Sequence, residues 1–493
     1  MRISGLYSGL DIEDMIKQIM TAQRIPVDRV FRQKVKAEWK RDAYREVNTK
    51  FLQLRNYVFD LRLQSSFSTR KTESSDPTRV SATATGRAVD GTYDIEVTQL
   101  ATSAELVSNA EDGASEVLSR IFSESELEEF SLAFKGLDGS AEVLRITKSD
   151  TMETIAAKIS SNKNLGITAF WDSFNDQIVL TTKATGESAA IEVSSSTDEL
   201  GREFLSTLFG ETLAFSPEEE FVAIGESGTN AKFTINGLTT ERESNTFEIN
   251  GINITLHRTT GDGESVRITV QRDVDAVVEK IKGFVDLYNE TIAELNLKLR
   301  EPVNRSYEPL TDAEREELSE KEIERWEEAA KSGLLRSDPI ISGILSNLRM
   351  AISEANLSRI GIKTGSWQEY GRLHLDETKL REALLENPDD VMGMFTYVDE
   401  SGENIGLAGK LTRILDEGME RIVSTAGKAS MPFDTSYLGE QIRQYESRLE
   451  AMEERLARVE NRYWNQFTAM ERALSELYAQ SDWLYQQLLA LQG

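Results

Sequence analysis

The sequence predicts an α+β multidomain protein with long amino- and carboxyl-terminal helices forming a coiled-coil leg, a helical middle domain and two β-rich head domains, one inserted in the other. Three observations favour this class. Apolar residues recur at steps of three and four at both ends of the chain, and the middle alternates with a period of two. A length of 493 residues is also too great for one ordinary core.

The first helix is predicted to begin after Asp11, a residue type that caps helices. We expect it to end near Pro26, since proline inside a helix costs about 3 kcal/mol. A second, longer helix should follow, because its apolar residues have the spacing of a coiled-coil seam. These residues are Tyr44, Val47, Phe51, Leu54, Val58 and Leu61.

The carboxyl-terminal end offers a partner helix for that seam. Its apolar residues keep the same alternation and are Leu438, Ile442, Tyr445, Leu449, Met452, Leu456, Val459 and Tyr463. One inserted step then shifts the phase, a stutter that locally unwinds a supercoil. The seam continues through Phe467, Met470, Leu474, Leu477, Leu484, Leu488 and Leu491. A single stripe usually marks a helix in its own core, but paired terminal stripes favour a stalk, here residues 1–65 and 276–493.

The middle of the chain contains a predicted β-rich head domain in two pieces, residues 66–109 and 222–275. Val80–Thr85 and Tyr93–Val97 are predicted to form a hairpin around an Asp90-Gly91 turn. Two Asn-Gly pairs, at Asn236 and Asn250, mark further turns between strands. We expect the two pieces to share a sheet.

Residues 110–221 are predicted to be a separate α+β domain inserted in the first. A turn at Asp138-Gly139 separates two strands, Thr151 caps a helix, and three more strands and a helix follow. Farther on, an acidic helix opens at Thr311 with capping-box spacing. Its acidic run through Glu328 is interpreted as a solvated face in preference to a docking surface.

The composition excludes several functions. The chain has 56 lysines and arginines against 84 aspartates and glutamates, a net charge of −28 that repels nucleic acid and anionic membranes. No stretch approaches the roughly 20 apolar residues of a membrane span, and the start lacks an apolar signal core. We therefore expect neither nucleic-acid binding nor membrane insertion, and no cleaved signal. With no cysteine, the chain has no disulfide and no thiol chemistry.

No candidate catalytic, cofactor-binding or metal-binding residue emerges from the motifs. The two histidines, His257 and His374, lie in strand patterns and cannot form a two-histidine metal site. The stretch 406–410 is glycine-rich but lacks the spacing of a phosphate-binding loop. Four Asp-Gly pairs are predicted turns rather than calcium loops, at Asp90, Asp112, Asp138 and Asp262. We therefore expect a protein without cofactors that is not an enzyme.

The chain resembles the flagellar filament-capping protein family over nearly its whole length. The matching motifs are Ser8-Gly9-Leu10-Asp11, Arg24-Ile25-Pro26, Asp42–Lys50, Asp90–Ala101, Phe284–Asn289, Gly333–Asp338 and Leu375-Asp376-Glu377. Residues 151–187 are similar to a motif that recurs in flagellins and hook-associated proteins. The stretches 110–135 and 399–403 match least well.

The resemblance implies a structural cap at the distal end of the bacterial flagellar filament. Such a cap retains exported flagellin, promotes its folding and polymerisation at the tip, and is required for elongation and motility. The implied partners are further copies of the chain, flagellin, the hook-filament junction protein, an export chaperone and the flagellar type III export apparatus. The implied location is extracellular, at the flagellum tip, after secretion through the type III channel.

Coiled-coil and partner contacts are predicted along the two seams, because helices with apolar seams of one period can pair. The residues are Tyr44, Val47, Phe51, Leu54, Leu449, Leu456, Val459, Phe467 and Leu474, with the last five directed at flagellin. Gly5, Gly9 and the stutter are expected flexible points. The alternative function is cell adhesion: a surface adhesin that binds mucin or matrix through its head domains and uses the coiled coil as a stalk.

Overall fold

The computed structural model describes residues 9–109, 111–125, 127–216, 218–261, 263–430 and 433–490. Gly5, Ser8, Asp262 and Leu491, named above, lie outside these residues. The chain forms two compact units. We call residues 1–67 with 274–493 the helical unit, and residues 68–273 the β-rich unit.

The helices of both units are numbered in chain order. They are α1 (Ile12–Asp60), α2 (Ala114–Glu124), α3 (Met152–Ser161), α4 (Glu199–Phe209), α5 (Val274–Arg300), α6 (Asp312–Glu316), α7 (Glu320–Lys331), α8 (Pro339–Glu354), α9 (Glu377–Glu386), α10 (Pro388–Thr396), α11 (Leu407–Ala426) and α12 (Tyr437–Ala490).

The strands are numbered in the same way. They are β1 (Arg70–Ser74), β2 (Val80–Ala84), β3 (Gly91–Gln99), β4 (Glu105–Val107), β5 (Glu129–Lys135), β6 (Ala141–Thr147), β7 (Ile167–Asp172), β8 (Gln177–Thr182), β9 (Ile191–Ser194), β10 (Phe221–Ile224), β11 (Ala231–Ile235), β12 (Leu238–Arg242), β13 (Thr246–Ile249), β14 (Ile252–Leu256), β15 (Val266–Arg272), β16 (Ile362–Thr364) and β17 (Leu373–Leu375). The predicted α+β class, with long terminal helices and a β-rich middle, is confirmed.

The first helix continues through Pro26, so the predicted break there is wrong. The side chain of Asp11 caps α1 as expected, by accepting from the N–H of Asp14 at 2.9 Å. Pro26 removes the hydrogen bond to the carbonyl of Ala22, but both residues are exposed, so water can solvate that carbonyl. Buried Val27 and Val30 continue the covered face of the helix beyond the proline.

The core of the helical unit forms where the second half of α1 meets α5, α8, α9 and α11. Tyr44, Val47, Phe51 and Leu54 lie in this cluster of buried residues. Polar bonds also tie these helices together: Arg55 on α1 bonds Asp416 on α11 at 2.9 Å. The seam predicted to pair with the carboxyl-terminal helix is therefore covered mainly by internal helices of the same unit.

The carboxyl-terminal helix α12 runs antiparallel to the first half of α1. Arg45 bonds Asp434, just before α12, at 2.8 Å, and Lys34 bonds Glu446, within α12, at 3.2 Å. The α1 residue of the second pair comes earlier in the sequence than that of the first, and its partner comes later, as an antiparallel arrangement requires. At this register, the end of α12 extends beyond Ile12, where α1 begins.

Strands from both ends of the β-rich unit form a sandwich of two antiparallel sheets. A five-stranded sheet has the order β1-β15-β3-β11-β12 and a three-stranded sheet the order β13-β14-β2. Their inner faces share one core, in which Phe233 stacks on Phe247 with ring centroids 4.7 Å apart. The expectation that the two β stretches share a sheet is confirmed, because β3 pairs with both β11 and β15.

The predicted hairpin around Asp90-Gly91 is wrong. β2 pairs with β14 and β3 pairs with β11 and β15, so the two strands lie in different sheets. The loop between them crosses from one sheet to the other and buries Ala88 in the core. Arg70 holds this crossing by bonding the carbonyl of Ala88 at 3.2 Å and the carboxylate of Asp90 at 2.9 Å.

A second core in the β-rich unit lies among two further sheets and three helices. The sheets have the orders β10-β9-β5-β6 and β4-β8-β7, and α2, α3 and α4 contribute to the same cluster. Thr151 caps α3 as predicted, in a capping box with Thr154. The division of the chain into domains at 66–109, 110–221 and 222–275 stays a prediction.

Candidate functional site

The amino-terminal seam residues are interior residues. Tyr44, Val47, Phe51 and Leu54 are all buried in the core of the helical unit. A partner could reach them only after the internal helices had moved away. Their contact with another protein stays a prediction, and their packing within the chain is what the structure describes.

The five carboxyl-terminal seam residues differ from the amino-terminal ones in exposure. All are half-buried along α12: Leu449, Leu456, Val459, Phe467 and Leu474. Leu456 lines a groove of about 880 Å³ between α1, α6 and α12, together with Ile16 and Met20. The rim of the groove carries charges of both signs, including Lys17 and Glu460. The seam is therefore only partly covered by the chain itself.

The end of α12 carries a series of exposed apolar side chains. We call residues 477–488 the distal segment. Six large side chains on it are between 53% and 65% exposed: Leu477, Tyr478, Trp483, Leu484, Tyr485 and Leu488. Since Leu477, Leu484 and Leu488 continue the seam, the distal segment presents an apolar face where the described part of α1 has ended.

None of these six residues was predicted as a contact residue, although Leu477, Leu484 and Leu488 belong to the predicted seam. Tyr478, Trp483 and Tyr485 fall outside the heptad positions of the seam, so periodicity alone omits them. The available signal was three large aromatic residues within eight positions, all outside the apolar seam of the helix. Aromatic side chains bury large areas at interfaces, so such a cluster at the end of a seam indicates a contact surface.

The charged groups near the seam mostly position neighbouring segments. Arg32 on α1 bonds Glu308 at 2.9 Å and Glu314 at 2.6 Å, and Lys36 also bonds Glu308. Hydrogen bonds from Arg32 and then Lys36 lower the pKa of Glu308. Partly exposed ion pairs contribute at most about 1 kcal/mol each. These pairs therefore orient the segment around α6 against α1. Glu328 on α7, at the end of the acidic run, is exposed.

The histidines are engaged in local contacts. His374 bonds Glu369 at 2.5 Å, and His257 lies 2.9 Å from the hydroxyl of Ser81. Among the residues described, no three His, Cys, Asp or Glu side chains are placed to hold a metal ion. Within the same residues, no helix has the length and apolar character needed to cross a membrane.

Together, the long helices at the two ends of the chain and the β-rich middle define an α+β multidomain protein in which only the carboxyl-terminal seam is partly exposed. Residues 8–104 match the amino-terminal region of flagellar hook-associated protein 2, and residues 228–479 match its carboxyl-terminal region. The chain belongs to the flagellar hook-associated protein 2 family. The resemblance to the filament-capping family is thereby confirmed. This is a family of structural flagellar proteins and not a known enzyme family.

Two curated relatives match along nearly the whole chain. The flagellar hook-associated protein 2 of Halalkalibacterium halodurans is 31% identical, over 97% of this chain and 98% of the relative. That of Thermotoga maritima is 25% identical, over 100% of this chain and 96% of the relative. The stretch 105–227 lies between the two family matches, so the second core of the β-rich unit is mostly outside them.

Among solved structures, the chain is similar to the D1-D2-D3 domains of the flagellar cap protein FliD from Escherichia coli. The TM-score is 0.56 at 20% identity, and the match covers 82% of this chain and 99% of that one. At this identity the likeness shows a shared fold.

Proposed function

We propose that this chain caps the distal end of the bacterial flagellar filament. There it retains exported flagellin and promotes its folding and polymerisation, so that elongation and motility require it. Membership of the flagellar hook-associated protein 2 family supports the proposal. The observation that carries the mechanism is the exposure of the apolar side chains in the distal segment, which the described part of α1 does not cover.

The distal segment and the half-buried seam are the proposed contact with flagellin. Full burial of an apolar side chain of this size contributes roughly 1.5–3 kcal/mol, and these side chains are only partly buried in the chain itself. A flagellin helix with an apolar seam of the same period could cover them. Because Leu449 and Leu456 already contact the rest of the chain, such a contact is weaker than a complete coiled coil and can be exchanged as subunits enter.

The other proposed partners follow from the family. Further copies of the chain would complete the cap, and the hook-filament junction protein would receive it before the filament grows. An export chaperone and the flagellar type III export apparatus would deliver the chain to the extracellular tip. None of these contacts requires a nucleic acid, a cofactor or insertion into a membrane.

Deleting the gene and adding back the purified protein tests the proposal. We expect the deletion strain to lack filaments and to release monomeric flagellin into the medium, as followed by microscopy and by blotting of culture supernatants. Added protein should restore growth at hook tips. Filaments of normal length in the deletion strain would refute the cap function.

The adhesin alternative has no support from the comparisons. It would require saturable binding of mucin or matrix by the purified full-length protein, in a strain whose filaments do not depend on it. The deletion experiment therefore separates the two functions, because only the cap predicts the leakage of flagellin.

A further inference from the structure

A braced turn in the helical unit carries an almost fully exposed tryptophan. Trp367 lies just before β17 and is 82% exposed. Glu369 fixes this turn by accepting from the N–H of Ser366 at 2.9 Å and from its hydroxyl at 3.0 Å. His374 on β17 bonds the other oxygen of the same carboxylate. The indole is therefore presented by a backbone that has little freedom to fold it away.

The same turn is anchored to α5 and contains a strained residue. The side chain of Asn289 on α5 makes two hydrogen bonds with the backbone of Leu373, at 2.7 and 2.9 Å. Tyr370 has a φ of +54°, a left-handed conformation that is unusual for a bulky residue. The guanidinium of Arg300 stacks 3.6 Å from the ring centroid of Tyr370 and holds it there. Strain of this kind is often retained where a side chain must be positioned for contact.

The helical unit also contains a groove suited to one aromatic side chain. It lies between α8 and α11, has a volume of about 330 Å³, and is floored by Ala351 and Ile414. That volume lies at the low end of the range for ligand pockets, so it fits a single side chain better than a helix. Met350 borders the groove and is 58% exposed. Thioether sulfurs make favourable contacts with aromatic rings.

The rim of this groove favours an indole in particular. Arg413 and Lys410 both line it, and each is held in place by a carboxylate: Arg413 by Glu403 at 2.7 Å and Lys410 by Glu354 at 3.0 Å. Cations over an aromatic face are attracted to it, most strongly when the ring is that of tryptophan. A rigid, bare tryptophan and a cation-rimmed groove thus occur in one chain, and Trp367 does not line that groove within its own chain.

We infer that Trp367 of one copy of this chain inserts into the groove between α8 and α11 of a second copy. The inference rests on the self-association included in the proposed function. A preformed turn and a preformed groove reduce the ordering cost of association. The tryptophan and the groove lie on different surfaces of the chain, so each copy can contact one neighbour through its tryptophan and another through its groove. Such a head-to-tail contact generates a ring when the rotation between neighbouring copies closes on itself.

Cysteine cross-linking tests the contact directly, since the chain has no cysteine of its own. Full-length Trp367→Cys and Met350→Cys proteins would be mixed in equal amounts, oxidised and separated on a non-reducing gel. Each carries a single thiol, so only a disulfide between two copies can form. We expect a dimer band that needs both variants. A mixture of Met350→Cys with Phe174→Cys, whose position is 92% exposed, is the control and should give little dimer.

Sedimentation measurements give a second readout, in case the cysteine itself weakens the contact. Trp367→Ala should weaken self-association about 30-fold, as loss of an interface hot spot does. Trp367→Phe should retain part of the affinity, and Arg413→Glu should weaken it by removing the cation from the rim. Circular dichroism would establish that each variant is folded.

The inference is overturned if the protein self-associates while Trp367→Ala leaves its affinity unchanged, or if the mixed cysteine variants give no more dimer than the control. It is also overturned if Trp367→Ala stops filament growth with self-association intact, because the tryptophan would then contact flagellin. The cross-linking and sedimentation measurements do not depend on the outcome of the gene deletion, so failure of the cap function and failure of this contact can be distinguished.

Discussion

The hydroxyl of Tyr44 on α1 donates a hydrogen bond to the carboxylate of Asp338, the residue that caps α8. The other oxygen of that carboxylate accepts from the N–H groups of Ile340 and Ile341 at 3.0 and 3.1 Å. Burial, together with the adjacent carboxylate, raises the pKa of Tyr44, so the hydroxyl remains a donor. One bond therefore connects the amino-terminal helix to the start of a helix almost 300 residues later.

Tyr44→Phe should lower the free energy of unfolding of the helical unit by about 1–3 kcal/mol, since a buried carboxylate loses one of its donors. Urea unfolding followed by circular dichroism measures the loss. Tyr478→Phe, at an exposed position of α12, is the matched control and should change stability by less than about 0.5 kcal/mol. Equal losses in the two variants would show that the hydroxyl at Tyr44 has no special role.

Pro26→Ala should stabilise α1. The substitution restores the missing hydrogen bond inside the helix, and part of that gain is offset because the unfolded chain becomes freer, which leaves about 1–2 kcal/mol. Hydrogen exchange of α1 amides on either side of the site measures the effect as slower exchange. Ile25→Ala, next to it and 57% exposed, should leave those exchange rates nearly unchanged. Faster exchange in Pro26→Ala would contradict the prediction.

Two glycines should respond to alanine in opposite ways. A Cβ on Gly283 of α5 would lie 2.2 Å from the hydroxyl oxygen of Tyr57, which bonds the carbonyl of Lys280 at 2.9 Å. Gly283→Ala should therefore destabilise the helical unit, by about 1–3 kcal/mol for overpacking. A Cβ on Gly343 of α8 would meet nothing within 4 Å, so Gly343→Ala should stabilise by up to about 1 kcal/mol. Thermal unfolding of both variants tests the contrast, which fails if the two shifts have the same sign.

Asp150 should make the β-rich unit sensitive to acid. Partial burial opposes its ionisation, but hydrogen bonds from Lys158 at 2.6 Å and from the N–H of Thr147 at 2.7 Å outweigh this and lower its pKa to about 2. An unfolded aspartate has a pKa of about 3.9. The ionised form therefore stabilises the folded state above about pH 4, and that contribution is lost as the pH falls from about 4 to about 2.

Asp150→Asn should consequently cost roughly 1–2 kcal/mol at pH 7 and progressively less below pH 4. Urea unfolding at several pH values measures the difference from the unmodified protein. Glu153→Gln, an exposed carboxylate on the same helix α3, is the control. A cost that stays constant down to pH 2 would mean that packing, and not ionisation, explains the effect.

The proposed contact of the distal segment can be tested without disturbing the core. Leu484→Asp combined with Leu488→Asp changes two exposed side chains, so folding of the helical unit should be preserved. Filament growth from hook tips after adding the variant should fall at least tenfold, because a charge in an apolar seam opposes helix pairing. Gln486→Ala, exposed in the same segment, should act like the unmodified protein. Normal growth with the double variant would place the flagellin contact elsewhere.

Local chemistry made part of the fold predictable. Asn236 and Gly237 both have positive φ, as do Asn250 and Gly251, and each pair joins two antiparallel strands as predicted. The caps at Asp11, Thr151 and Thr311 also lie where the residue types indicate. These turns and caps depend only on a few neighbouring residues, so a short stretch of sequence is enough to locate each of them.

Features that depend on distant residues were not predictable in the same way. The predicted hairpin around Asp90 was wrong because β2 pairs with β14, which lies far along the chain. No residue near the turn indicates that pairing. The helix break at Pro26 was wrong because buried Val27 and Val30 continue the packed face. Of the candidate site, periodicity gave the seam, but which part is exposed depends on where α1 begins relative to α12.

The antiparallel pairing of α1 with α12 sets an order of events while the chain is synthesised from its amino end. The β-rich unit is continuous in sequence, residues 68–273, so both of its cores can form as soon as residue 273 has been synthesised. The first helix has no such independence, because its packing partners α5, α11 and α12 all follow that unit. Until they arrive, its apolar face has no cover within the chain. The apolar face of α1, the first helix to be made, is therefore fully covered only after α12, the last helix, has been made.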